Sequence, residues 1–318
     1  MIDPASTRTA TASADSAGDH ASDRLTRFLL PQAGVRGVHV HLDATWAQIR
    51  ARATDFHRAA PAAVTELLGE AAVAAALFTG HAKVEGRLSV QLRGDGPLRT
   101  LFAECTVAGT LRGIAQVAGD AALPRDLRLL GAGAVLAITI ENPAVDGREP
   151  VRYQGLVALE ADSLAGAFED YFRQSEQLPT RLLLAADDRR AAGLMLQKLP
   201  GDSGDEDGWT RAGALFDTLT TGELLGCPAA TLLRRLFHED GVEVLGERPL
   251  RFACSCSHER VVAMLQALGE TEARAAAAAG PAEIRCEFCG QQYRFSLEEV
   301  AALFPAQAVT AAAPERLQ

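Results

Sequence analysis

A chain of 318 residues with a net charge of −10 is long enough for two domains, or for one domain carrying a small module. Its 48% hydrophobic content is ordinary for a globular protein, and the acidic balance weighs against non-specific nucleic-acid binding, which needs a basic surface. The only lysines are Lys83 and Lys198, so nearly all positive charge is arginine, which reads as genome bias rather than function.

Residues 1–22 are small and polar and lack the apolar stretch of a secretory signal; they are expected to form a disordered tail. Without export, paired cysteines point to metal or redox chemistry more than to structural disulfides. Residues 35–42 alternate apolar and polar side chains and predict a strand, and 44–58 predict a helix. Pro61 is placed to open a second helix from within its first turn, running to about Thr79. That helix is apolar nearly all round, which implies burial. Its longest apolar run, 71–79, falls short of the roughly 18 residues of a membrane span, so no crossing is expected. Strand patterns follow at 84–93, 98–107, 110–118, 134–141 and 151–160, separated by turn signals at Gly94-Asp95-Gly96-Pro97, Ala108-Gly109 and Asp146-Gly147. A helix over 163–176 and strands over 181–186 and 192–199 complete the segment. Consecutive strands with short turns and helices inserted in blocks predict an α+β domain over 23–200 with a largely antiparallel sheet.

An acidic, glycine-rich break at 200–210 marks the next boundary. Beyond it, 201–249 reads as a metastable helical linker. Leu215, Phe216, Leu219, Leu224 and Leu225 make one apolar stripe; Leu232, Leu233, Leu236 and Phe237 make a second, whose helix Pro228 can start. Helices this short need a surface to pack on. A cysteine module occupies 250–305, and 306–318 is expected to be a second disordered tail.

The module carries Cys254-Ser255-Cys256 and Cys286-Glu287-Phe288-Cys289. Two close pairs at this separation suit one tetrahedral zinc site, which four sulfurs close without leaving a position for a catalytic water. The first pair is unusual, because a single residue separates its sulfurs, whereas structural knuckles mostly use two to four. Zinc-bound sulfur keeps thiolate character, the form that peroxide attacks, and a resolving thiol stands one or two residues away in either pair. Spacing alone leaves open a structural zinc ribbon and a redox switch. A deaminase pattern fails, since His258 and Glu259 are adjacent and Pro281 stands five residues before Cys286. A nucleic-acid ribbon would be basic, yet over 251–295 the arginines at 251, 260, 274, 285 and 294 balance the glutamates at 259, 270, 272, 283 and 287.

Phe252-Ala253-Cys254-Ser255-Cys256-Ser257-His258-Glu259-Arg260, with Glu283-Ile284-Arg285-Cys286-Glu287-Phe288-Cys289-Gly290 and Tyr293-Arg294-Phe295, closely resembles the heat-shock protein 33 family of redox-regulated chaperones. Upstream, Gln174-Ser175-Glu176-Gln177-Leu178-Pro179 matches that family's Q-S-E-Q-x-P stretch. Gly193-Leu194-Met195-Leu196-Gln197-Lys198-Leu199-Pro200, the turn Gln91-Leu92-Arg93-Gly94-Asp95-Gly96-Pro97-Leu98, and Leu236-Phe237-His238-Glu239 fit as well, so the resemblance spans roughly 23–305. It implies a cytoplasmic, ATP-independent holdase and no enzyme. When reduced, such a protein holds one Zn²⁺ on Cys254, Cys256, Cys286 and Cys289 and is inactive. Oxidation forms Cys254–Cys256 and Cys286–Cys289, releases zinc and loosens the linker; the exposed surface then binds unfolding clients, and the active form tends to dimerise. No nucleic-acid, membrane or ATP partner is expected, and no catalytic residue. The alternative is a static zinc-ribbon adaptor associated with RNA or the ribosome.

Other candidates have blander readings. Cys227, just before Pro228, is an incidental, partly buried thiol rather than a fifth redox site, and Cys105 belongs to a strand and the core. His258 is near enough to Cys256 to compete for metal, but the cysteines already suffice. His39 and His41 share a strand face without a third ligand. Gln174-Ser175-Glu176-Gln177 lacks a nucleophile elbow and suits helix capping. Gly94-Asp95-Gly96 is a hairpin turn, and the acidic run 202–207 a solvated linker.

Overall fold

A computed structural model describes residues 23–54, 61–118, 123–131, 133–144, 149–201 and 204–304. The expected tails at 1–22 and 306–318, the end of the helix expected over 44–58, and the Asp146-Gly147 turn lie outside these residues. The chain divides into two compact units, Met1–Ala253 and Cys254–Gln318.

In the first unit the strands are β1 (Arg24–Leu30), β2 (Val35–Leu42), β3 (Arg87–Arg93), β4 (Leu98–Thr106), β5 (Thr110–Val117), β6 (Val135–Asn142), β7 (Val151–Val157), β8 (Thr180–Ala186), β9 (Ala191–Lys198), β10 (Glu243–Pro249) and β11 (Arg251–Phe252). Its helices are α1 (Ala44–Thr54), α2 (Ala62–His81), α3 (Leu164–Ser175), α4 (Gly208–Phe216), α5 (Thr221–Gly226) and α6 (Ala229–Phe237). One sheet runs β10-β1-β2-β9-β8, antiparallel throughout. The other runs β11-β5-β4-β3-β6-β7, where only the short β11–β5 pair is parallel. The α+β class with largely antiparallel sheets is therefore as the sequence pattern predicts.

Helix α2 packs against strands of both sheets. Every residue from Leu67 to Gly80 is buried. The helix is 20 residues long with a mean hydropathy of 1.5, enough by length and composition to cross a membrane, although its longest uninterrupted apolar run is shorter. The structure gives that composition another cause, since 78% of the stretch is buried inside the protein. A small residue lets α2 approach the sheet: a Cβ on Gly193 of β9 would stand 2.5 Å from Val73 Cγ1. Both Pro61 and Pro228 sit one residue before their helices, at φ −52° and −59°, rather than inside the first turn.

Strand β9 shows how the layers are arranged. Ala191 and Met195 belong to the cluster around α2, whereas Ala192, Leu194 and Leu196 belong to a second cluster with Phe28, Leu30 and Val35. That second cluster is closed by Ala212, Phe216, Leu224, Leu232, Leu233 and Phe237 of α4, α5 and α6. The linker helices thus cover the outer face of the first sheet. Thr220 and Glu223 form a capping box on α5. Arg211 donates to Asp207 at 2.8 Å, Asp205 at 3.0 Å and the buried Asp240 at 2.6 Å; Asp205 and Asp207 of the acidic run are exposed, as a solvated linker implies, and also pair with α4.

Strands β1 and β10 have no counterpart in the predicted elements. The segment expected as a helical linker, 201–249, with its short helices over 211–238, ends in β10, which pairs with β1 from Arg24↔Pro249 onward. Exposed along nearly its whole length, β10 carries no strand periodicity; its state is set by the partner strand.

Candidate metal centre

The second unit contains α7 (His258–Leu268), α8 (Glu270–Ala276), the hairpin β12 (Ala282–Arg285) and β13 (Gln292–Phe295), and α9 (Leu297–Ala302). Ser257 caps α7 by accepting from Arg260 N, and Ser296 makes a capping box with Glu299 on α9. Cys254 and Cys256 lie in the segment before α7. Arg260 clamps the residue between them, donating to Ser255 O at 2.9 Å and Ser255 Oγ at 2.8 Å. Cys286 and Cys289 sit in the β12–β13 turn, where Cys286 N donates to Gln291 O at 2.9 Å and Gly290 N to Cys286 O at 2.8 Å. Gly290 has φ +72°, a left-handed conformation that suits glycine.

All four sulfurs lie within 4.8 Å of one another. The close approaches run across the pairs, with Cys254 Sγ to Cys286 Sγ at 3.6 Å and Cys256 Sγ to Cys289 Sγ at 3.3 Å. A tetrahedron with metal–sulfur bonds of about 2.3 Å has edges of about 3.8 Å, so these four thiols can hold one ion with little movement. None of the six cysteines is in a disulfide. Tyr293 donates its hydroxyl to Cys256 Sγ at 3.2 Å. Burial works against ionisation of Cys256, but hydrogen bonds from Tyr293 and the neighbouring thiols hold its thiol below the ordinary range. Burial foremost pushes Cys254 and Cys289 up. The bond to Cys256 raises the Tyr293 phenol to about 12, so at neutral pH it remains a donor.

This unit has a thin apolar core: Val261, Leu265, Ala273, Ala277, Ala282, Phe295 and Val300. Three of the seven are alanines, which contribute little buried area. A bound ion would therefore supply much of the unit's cohesion.

The structure brings the four predicted ligands together and leaves the other candidates apart. His258 stands outside the four-cysteine group; it opens α7 with its ring 5.1 Å from that of Phe295. Cys105 lies in the core of the first unit, where burial pushes its thiol to about 12. Cys227 ends α5 and accepts a weak bond from Arg235 at 3.7 Å. His39 and His41 stack on one strand face, as their spacing implies. Ser175 ends α3 and Glu176 accepts from Gln197 Nε2 at 3.4 Å, a packing and capping role. Tyr293 is the functional contact that spacing missed; its only signal was a phenol in the strand directly after a cysteine knuckle.

The Hsp33 protein family model matches residues 23–296. The chain belongs to the Hsp33 family. It is 42% identical over 295 residues to the 33 kDa chaperonin of Ectopseudomonas mendocina, covering 89% of this chain and 95% of that one. It is 41% identical over 295 residues to the 33 kDa chaperonin of Chromobacterium violaceum, covering 92% and 98%. The crystal structure of the 33 kDa chaperonin of Thermotoga maritima shares the fold, with a TM-score of 0.72 at 22% identity over 89% of this chain and 97% of that one. Hsp33 proteins are chaperones, not enzymes, and the four-cysteine cluster of this member fits metal binding and redox chemistry.

Proposed function

We propose that this chain is a redox-regulated, ATP-independent holdase, in which Cys254, Cys256, Cys286 and Cys289 bind one Zn²⁺ when reduced and form Cys254–Cys256 and Cys286–Cys289 when oxidised. The observation that carries the reading is a cluster of four cysteine sulfurs, none of them in a disulfide, in a unit with a meagre core. All-sulfur coordination suits zinc, and when bound the ion supplies folding energy of roughly 10–16 kcal/mol. Peroxide supplies the oxidant. A thiolate lone pair takes one peroxide oxygen, the O–O bond breaks and hydroxide leaves, giving a sulfenic acid. The thiolate of the same pair attacks that sulfur, the S–O bond breaks, a second hydroxide leaves and the disulfide forms. Each disulfide passes two electrons from sulfur to one peroxide molecule. Disulfide sulfurs are neutral and far weaker donors than thiolates, so the ion is no longer held and the unit loses its main support.

Domain roles follow within the same proposal: 23–200 as a stable α+β body, 201–249 as the metastable linker and 250–305 as the switch. Helices α4, α5 and α6 each bury a narrow stripe on the outer face of the first sheet. The linker leads through β10 and β11 into the second unit, which begins at Cys254, and in this reading loss of structure there frees the linker. Lifting α4–α6 exposes Phe28, Leu30, Val35, Leu194 and Leu196, an apolar face for unfolding client proteins. The proposed setting is the cytoplasm, with a homodimer in the oxidised state and no requirement for ATP, nucleic acid or a membrane.

The test treats reduced, zinc-loaded protein with peroxide at heat-shock temperature. Zinc release is followed with a chromogenic chelator, and aggregation of a heat-denatured client by light scattering. Zinc release together with suppressed aggregation is the expected result. Retained zinc would instead favour a static zinc-ribbon adaptor, and release without suppression would overturn the chaperone reading.

A further inference from the structure

Tyr293 reaches from the hairpin to the other half of the cluster. It stands opposite Ile284 in the β12–β13 ladder, its ring packs on the unit's core, and its hydroxyl meets Cys256 Sγ at 3.2 Å. The bond joins residues 37 apart in sequence, so the folded hairpin delivers a donor to a sulfur of the C-x-C pair. The backbone of that pair is also held, through Arg260 on Ser255. Partners of this kind orient metal ligands and tune them. A hydroxyl hydrogen on a thiolate draws on the lone pair that must attack peroxide, and it must be lost or stretched before that sulfur reacts.

We propose that Tyr293 is a positioning residue that restrains oxidation of the Cys254–Cys256 pair by holding its hydroxyl on Cys256. The inference rests on the redox reading above and adds a brake to it. The chemical step is unchanged: Cys256 or Cys254 gives a lone pair to one peroxide oxygen, hydroxide leaves, and the partner thiolate displaces the second hydroxide. Without the hydroxyl, Cys256 enters that step with one donor fewer on its sulfur.

The experiment uses the full-length zinc-loaded protein with Tyr293→Phe, which keeps the ring and removes the donor. Peroxide is added at neutral pH, zinc release is followed by chelator absorbance, and each disulfide is quantified against time by mass spectrometry of quenched digests. The expected result is formation of Cys254–Cys256 about fivefold faster than in the unsubstituted protein, the rate factor of one ordinary hydrogen bond, with Cys286–Cys289 changed far less. Equal rates for Cys254–Cys256 in the two proteins overturn the inference while leaving the redox reading intact. Failure of the unsubstituted protein to release zinc removes the redox reading and this inference with it. If Tyr293→Phe does not take up zinc, 3-fluorotyrosine at position 293 supplies the same ring with a better donor. Cys254–Cys256 then forms more slowly than with tyrosine, and an equal or faster rate overturns the proposal. A role confined to packing predicts no response to the fluorine.

Discussion

The two units are held together in opposite ways. Around α2, large side chains interlock: the Phe78 ring lies 4.9 Å from Phe168 and 5.2 Å from Phe172, both edge-to-face, and Trp46, Ile49 and Leu67 are almost fully buried. The second unit has Leu265 and Phe295 among valines and alanines, and a cluster of four sulfurs. Packing of the first kind is indifferent to oxidants, because dispersion and burial do not depend on thiolate lone pairs. Cohesion built on sulfur ligands can be withdrawn by one chemical reaction. Between these extremes lies the α4–α6 layer, which shares a sheet with α2 but covers it through narrow stripes.

That contrast can be broken by experiment. The largest effect is expected from Cys286→Ser, which takes one ligand from the cluster. Zinc binding should fall and the second unit should lose its cooperative structure, a loss on the order of 10 kcal/mol of metal-linked folding energy. The melting of the first unit should stay in place, as calorimetry with metal analysis would show; a variant that still holds zinc tightly would break the site assignment. Next, Phe78→Ala should cost the first unit about 3–5 kcal/mol in denaturant unfolding and leave zinc stoichiometry unchanged. Leu232→Ala in α6 should cost about 2–3 kcal/mol, felt locally. Its signature is faster proteolysis within 204–242 of the reduced, zinc-bound protein, with the core transition hardly moved.

The smallest effect tests the linker layer from beneath. His39 lies on the sheet face that also carries His41, whose Nε2 meets Leu225 O at 3.1 Å. Neither His39 ring nitrogen has a partner among the described residues. Burial foremost, then the charge of His41, lowers its pKa to about 3. The unfolded chain, with an ordinary value near 6.5, binds more protons between these limits. Stability from His39 is therefore complete above about pH 6.5 and is lost as pH falls toward 3, roughly 2 kcal/mol of it by pH 5. Replacing His39 with Leu should flatten that part of the stability–pH curve. An unchanged slope in urea titrations from pH 7 to pH 5 would place the acid sensitivity elsewhere, with His81, whose pKa burial also lowers to about 3, as the next group to replace.

Much was legible because the signals were local. The alternation in β2, the apolar α2 and the paired cysteines are patterns that neighbouring residues make among themselves. The pairing of sulfurs across the two halves of the site was not, since spacing places Cys254 beside Cys256 and says nothing of its 3.6 Å approach to Cys286. Likewise His39 and His41 read as a strand face, but the complete burial of His39 depends on what else folds over it.

By itself, then, the sequence determined the α+β class and the four sulfurs that meet in one cluster, because periodicity and ligand chemistry are properties of short segments. The tertiary structure decided that β10, which has no strand pattern of its own, completes a sheet on β1. It also decided that α4–α6 cover the face opposite α2, and that the Tyr293 hydroxyl rests on Cys256. Each of these depends on residues far apart in the chain, and no local preference records which of them will meet.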